Sequence, residues 1–285
     1  MKPVVSVIGA GGKMGVRCSR NLLQSEELFQ LNLVDQGERG LANIRSLGAE
    51  PADAKTAVPQ SDLVVLAVPD KLIQTVSETI VVLLKPGAGL IILDPAAAVA
   101  RELALRDDCT FAVVHPCHPS YFLDQDTYEA RHDYFGGAGG KQDLAMAKIQ
   151  GDDQVFASCQ TVCRAMFAPV AQIFTMGIRD IAFLEPTLVE LLGATCLFAM
   201  AETVGQAVAR GIDKQAAISF LTGHIYNLTA NFLGLLGDTP VSDACKVAIG
   251  LGNKLVLRED WKQIWNDAVL DRVIATMLHP DQPQI

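Results

Sequence analysis

The sequence predicts an α/β protein in two parts: an N-terminal doubly wound sheet over residues 1–150 and an all-α C-terminal domain over 151–285. Three observations predict it. The apolar run Val4–Ile8 leads directly into Gly9-Ala10-Gly11-Gly12-Lys13-Met14-Gly15. Short apolar runs then alternate with segments of helical periodicity, the pattern of a parallel sheet with crossover helices. From about Gly151 onward strand patterns give way to long helical ones.

Taken in order, residues 29–34 read as a second strand, with Asp35 at its end and twenty residues beyond Gly15. A strand, a glycine turn, a helix start and a distal acid together are the pattern of a Rossmann dinucleotide-binding domain. Backbone N–H groups and a helix N-terminus face a pyrophosphate there, and the acid takes the ribose hydroxyls. The turn therefore points to a dinucleotide held by Gly9, Gly11, Gly12, Lys13, Met14, Gly15 and Asp35. Asp35 would repel a 2′-phosphate, which favours NAD, while Arg17 and Arg39 keep NADP open. A tight packing turn with no ligand is the plain alternative.

Residues 37–47 read as a helix. The run Leu63–Val68 with Pro69-Asp70 reads as a strand buried on both faces, whose end at Val68 and Pro69 borders the cofactor. Lys71–Leu84 reads as a helix stopped by Pro86-Gly87, and Leu90–Leu93 as a strand ending in Asp94-Pro95. Residues 110–114 form a further strand that delivers His115-Pro116-Cys117-His118-Pro119. Ligands of open α/β sheets bind beyond the carboxyl ends of strands, so this placement carries weight. Helical patterns then cover 152–167, 178–209, 214–236, 242–257 and 260–277.

Half of the residues are hydrophobic and 19% are charged, enough apolar material for substantial cores. A net charge of −9 with no basic run argues against nucleic acid and against an anionic membrane surface, and for a small-molecule substrate. Cys18, Cys109, Cys117, Cys159, Cys163, Cys196 and Cys245 form an odd set without C-x-x-C. With no signal peptide expected before the first strand, they point to a reducing, cytoplasmic setting. The run 188–209 approaches a membrane span in hydropathy, but Glu190, Glu202, Gln206 and Arg210 interrupt it. A helix covered by a second subunit, hence a homodimer through the helical domain, is expected instead.

Two of only five histidines lie in one motif at a strand end. His115 is the candidate acid/base or metal ligand, and His118 a substrate contact or ligand; packing against the sheet edge is the alternative for either. Glu185 and Glu190 lie in apolar runs, where a carboxylate needs a partner or a metal. Glu185 is expected to complete the site with His115, unless Pro186 merely opens a helix beside an N-terminal carboxylate. His224, Asn227 and Asn231 share a helix face able to meet a polyhydroxylated substrate or water. Lys141, after the glycine run 136–140, could bind a carboxylate or carry a proton, or simply be exposed. The glycine run lets backbone approach a ligand closely, or is a flexible connection.

Gly9-x-x-Gly12-x-Met14-Gly15, Leu66-Ala67-Val68-Pro69-Asp70, Asp94-Pro95-Ala96-Ala97, His115-Pro116-Cys117-His118-Pro119, Phe135-Gly136-Gly137 and Leu184-Glu185-Pro186 together resemble the D-apionate oxidoisomerase family across nearly the whole chain. The resemblance implies a Rossmann domain joined to a helical domain similar to the C-terminal part of 6-phosphogluconate dehydrogenase. It also implies NAD-dependent oxidation of the hydroxyl next to a carboxylate, followed by a 1,2-carboxylate shift in a branched or sugar-derived 2-hydroxy acid such as D-apionate. Such chemistry would draw on a divalent metal, with His115 and Glu185 as ligands or as the acid/base pair. β-Hydroxyacid dehydrogenases of the wider superfamily use a helical-domain lysine with an asparagine four residues on; no such pair is expected in this chain, which lowers the odds of simple lysine-based oxidation. A simple β-hydroxyacid dehydrogenase and a non-catalytic NAD-sensing protein are the alternatives.

Overall fold

The protein is described by a computed structural model, over residues 2–281. Seven strands form one sheet: β1 Val4–Ile8, β2 Gln30–Val34, β3 Leu63–Leu66, β4 Gly89–Ile92, β5 Thr110–Pro116, β6 Gln142–Gln150 and β7 Val170–Thr175. Their order is β2-β1-β3-β4-β5-β6-β7. The first five strands in that order run parallel, β6 pairs antiparallel with β5, and β7 pairs parallel with β6.

The strands are apolar on both faces because both faces are covered. Val5, Val7, Leu63, Val65, Ile91, Ala112 and Val114 point into one layer, with Cys18 and Leu22 of helix α1 (Lys13–Leu23) and Phe156, Cys159 and Val162. The alternate positions Ile8, Val64, Leu66, Leu90, Ile92, Phe111 and Val113 point into the other, with Ile73 and Ile80. This period-two division is what a strand dictates. Each fully buried Leu, Ile or Phe contributes about 1.5–3 kcal/mol by leaving water.

The chain divides into two compact units, one of residues 1–182 with 271–285 and one of residues 183–270. The division expected at residue 150 therefore falls 32 residues later. The reason is that the sheet continues: β6, the helix Asp153–Met166 and β7 all belong to the first unit. Neither strand announced itself. The run Leu144-Ala145-Met146-Ala147-Lys148 holds no β-branched residue, and β7 alternates weakly, with four of its six residues exposed.

The second unit is helical. Helical backbone runs from Ile178 to Ala209, and its Phe183–Ala194 portion is a π-helix. Pro186 lies inside that portion rather than opening a helix, as the first-turn alternative required. A proline lacks the N–H for the i−4 bond and crowds that carbonyl, and a widened turn accommodates it. Further helices span Thr195–Ala209, Lys214–Phe232 and Asp243–Leu255, with a 3₁₀ turn at Trp261–Trp265. Among the described residues, the run Ile178–Ala209 is long and apolar enough to cross a membrane by length and composition alone.

Candidate active site

The glycine turn is shaped by close approach. A side chain on Gly9, which has φ +78°, would meet the Ala67 carbonyl oxygen at 2.6 Å; one on Gly15 would meet the Gly9 carbonyl oxygen at 1.9 Å. Only glycine lets α1 start this close to β1. Gly11 is fixed from behind. Its N–H donates to Asp35 Oδ2 at 3.0 Å, and its carbonyl accepts from Asn43 Nδ2 at 2.7 Å. Asp35 Oδ1 accepts the N–H groups of Gln36 and Gly37 at 2.8 and 3.1 Å. Asp35 thus organises the turn.

Two clefts flank this turn. One, of about 430 Å³, is lined by Gly9, Gly12, Asp35, Ala67, Val68 and Pro69 among others. The other, of about 750 Å³, is lined by Gly11, Gly12, Lys13, Asp35, Arg39 and Asn43 among others. These bring together most of the expected cofactor residues, but Met14 packs against the core layer under α1 and Gly15 is buried. Their role is to seat the helix. Arg17, expected to keep NADP open, is 6% exposed, bonded through Nη2 to Gln142 Oε1 at 2.9 Å, and held between the rings of Phe135 and Phe167. Arg39 alone of the two arginines lines a cleft beside Asp35.

His115 stands near the C-terminal end of β5, next to β4. Their register pairs Ile92 with Val113, and two residues further on it places Asp94 beside His115. A carboxylate oxygen of Asp94 and a ring nitrogen of His115 lie within 4.8 Å of each other, a separation that two ligands of one cation can have. Desolvation by burial pushes the His115 pKa down to about 4, a hydrogen bond with the Leu93 backbone opposing it and the charge of His118 adding to it. The imidazole is therefore neutral at neutral pH, and its buried Nδ1 has no hydrogen-bond partner. Asp94 was not among the expected site residues. The signal for it was present, an acid directly after an apolar strand adjacent to the histidine strand.

Other candidates of the first unit have partners of their own. His118 Nδ1 donates to the Phe135 carbonyl at 2.8 Å, so that nitrogen is engaged within the protein. Lys141 pairs with Asp126 at 3.6 Å and donates to the Asp124 carbonyl. Since β6 pairs Ala145 with His115, Lys141 stands four residues away along the strand, about 13 Å at strand rise, and is a poor proton carrier for that histidine. The glycine run approaches protein rather than ligand: side chains on Gly136 or Gly137 would come within 2.4 or 2.8 Å of Arg17.

In the helical unit Glu185 lies half-buried in the π segment, whereas Glu190 is exposed, so the cost of burial does not apply to it. His224 is exposed, its Nδ1 bonded to the Phe220 carbonyl at 2.7 Å; Asn227 is exposed on the same helix, and Asn231 donates to the Thr239 carbonyl. A lysine with an asparagine four residues on does occur, at Lys262 and Asn266, against expectation. Its geometry is local: the Lys262 ammonium lies 6.0 Å from the Trp261 ring centre, and Asn266 Oδ1 accepts the Ala268 N–H. Burial pushes the Cys18 and Cys159 thiols up to about 12 and raises Cys163 as well, as befits core residues.

Comparison with known proteins adds the following. Residues 123–278 match the family described as phosphogluconate dehydrogenase (decarboxylating), C-terminal. The chain is 68% identical over 285 residues to the D-apionate oxidoisomerase of Blautia hydrogenotrophica, covering 100% of this chain and 99% of that one. It is 38% identical over 278 residues to the D-apionate oxidoisomerase of Pectobacterium atrosepticum, covering 97% and 96%. A crystal structure of a semialdehyde dehydrogenase NAD-binding protein from Cupriavidus necator, in complex with calcium and NAD, superimposes with a TM-score of 0.92 at 37% identity. That match covers 97% of this chain and 100% of the other.

Proposed function

The chain belongs to the D-apionate oxidoisomerase family, and from that membership we propose that it is an NAD-dependent oxidoisomerase of a branched 2-hydroxy acid, with D-apionate as substrate. The observation that carries the chemistry is the pairing of neutral His115 with Asp94 at adjacent strand ends. A nitrogen lone pair and a carboxylate within 4.8 Å fit a divalent cation, and the calcium of the Cupriavidus necator protein supports one here. We assign Asp94 and His115 to hold the ion. Glu185, also expected at the metal or at the proton, is assigned to take the substrate hydroxyl proton.

The turn Gly9–Gly12, with Lys13 and Asp35, binds the pyrophosphate and ribose of NAD, and Val68 and Pro69 border its far end. Bound NAD supplies a two-electron acceptor for the hydride leaving C2, and the ion supplies polarisation of the new keto oxygen and acidification of the neighbouring tertiary hydroxyl. As that hydroxyl loses its proton and becomes a carbonyl, a carbon substituent moves with its bonding pair to C2. Electron balance makes the moving group a substituent of the carbinol carbon, which replaces the carboxylate shift implied by resemblance, since the carboxylate already sits on C2, the carbon that accepts the pair. His118, His224 and Asn227 remain assigned to the substrate's hydroxyl groups only through ring and amide atoms not already bonded.

Incubation with D-apionate and NAD, with and without added Mg²⁺ or Mn²⁺, tests the reading. NADH should appear together with a product of rearranged skeleton by NMR. NADH with an unrearranged product would leave a simple dehydrogenase, and no NADH from D-apionate or other hydroxy acids would remove the enzyme reading.

We further place the protein in the cytoplasm as a homodimer. Seven free cysteines suit a reducing compartment. The helices Thr195–Ala209 and Lys214–Phe232 expose Leu197, Phe198, Phe220 and Phe232 at 56%, 68%, 72% and 60%, apolar surface that a second copy would cover.

A further inference from the structure

Phe135 is the meeting point of groups from two motifs. The Lys13 ammonium lies 4.6 Å from its ring centre and the Arg17 guanidinium 5.0 Å. The His118 ring lies 5.2 Å away, inclined by 38°, and His118 Nδ1–H donates to the Phe135 carbonyl at 2.8 Å. His118 adopts φ +60°, a left-handed conformation uncommon for a non-glycine residue although histidine is among the types that visit it. The segment around Phe135 is tied as well. The Asp133 carboxylate accepts the N–H groups of Gly136, Ala138 and Gly140 at 2.8, 2.7 and 3.0 Å.

We propose that Phe135, held by His118, is a positioning residue for the cofactor. It restrains the Lys13 ammonium at the first residue of α1, beside the turn assigned to the pyrophosphate, and ties that helix to the turn carrying His118. Lys13 has a long flexible stem on an exposed helix end. The negative face of the ring limits its rotamers and offsets its repulsion from Arg17, so less side-chain entropy is lost when a dianionic pyrophosphate arrives. His118 then acts on the cofactor through Phe135 rather than by touching it. This role rests on the NAD reading above and adds a residue outside the glycine fingerprint.

The test is NADH binding to the full-length protein without substrate, followed by nicotinamide fluorescence, with thermal unfolding in parallel. Phe135→Leu should weaken NADH about fivefold, in the range expected for a cation–π contact, with little change in the melting temperature. His118→Ala should weaken it by a similar factor. His118→Asn should restore it to within about twofold, because its amide nitrogen can replace Nδ1 as donor and asparagine tolerates the left-handed backbone. Lys13→Gln should cost several-fold in the native background and clearly less in the Phe135→Leu background. Additive effects of Lys13→Gln and Phe135→Leu, or NADH affinity unchanged in Phe135→Leu, would overturn the proposal, as would a His118→Asn variant as weak as His118→Ala. Failure of the unaltered protein to bind NADH would instead overturn the NAD reading.

Discussion

His115 carries a stability cost that grows with acidity. Its pKa of about 4 lies below the ordinary 6.5, so the unfolded chain binds this proton more readily than the folded one. Nothing is lost above pH 6.5; as the pH falls from there toward 4 the folded state is disfavoured, by about 2 kcal/mol at pH 5. The urea midpoint of the metal-free protein should therefore fall between pH 7 and pH 5, and the fall should be smaller in His115→Gln. An equal fall in both proteins would remove this histidine as its source. Two further variants separate the assigned roles. Asp94→Asn should lower Mn²⁺ affinity by about 10–100-fold, read by electron paramagnetic resonance. Glu185→Gln should leave Mn²⁺ and NADH binding intact and reduce kcat by about 100-fold or more, the scale of a lost general base.

At the level of elements, the start of α1 is the least forgiving part of the chain. A methyl group on Gly15 would overlap the Gly9 carbonyl at 1.9 Å and the Ala10 backbone at 2.7 Å, so helix and strand must separate. Gly15→Ala should cost about 1–3 kcal/mol in chemical denaturation, the range for forcing extra volume into packed structure, and should abolish NADH binding. The turn and Asp35 were legible in the sequence because glycine spacing and a strand-end acid are local signals. So was His115, delivered by an apolar strand. Asp94 became visible only through the β4–β5 register, which no single segment contains. Strands β6 and β7 escaped because their composition says little about pairing, and their place is set by the partners they meet. Lys141 and the glycine run invited a ligand, whereas their actual partners, Asp126 and Arg17, lie 15 or more residues away in sequence.

For the whole molecule, the exposed apolar faces of the helical unit are the main unexplained surface of a single chain, and the proposed homodimer would cover them. Light scattering at micromolar concentration should give twice the 30.5 kDa chain mass. Phe198→Glu combined with Phe220→Glu should shift it toward one chain mass, since charge on a buried interface costs several kcal/mol. A chain mass of one for the unaltered protein would defeat the dimer. The antiparallel β6 has its own consequence for how such a protein can diversify. The Cys117 N–H donates to the Asp143 carbonyl at 2.9 Å, so the long excursion between them begins and ends at one closed rung of the sheet. Within it Phe135, Gly136 and Gly137 rest on Lys13 and Arg17, so a change in its composition acts on the start of α1 while this rung of the sheet stays closed.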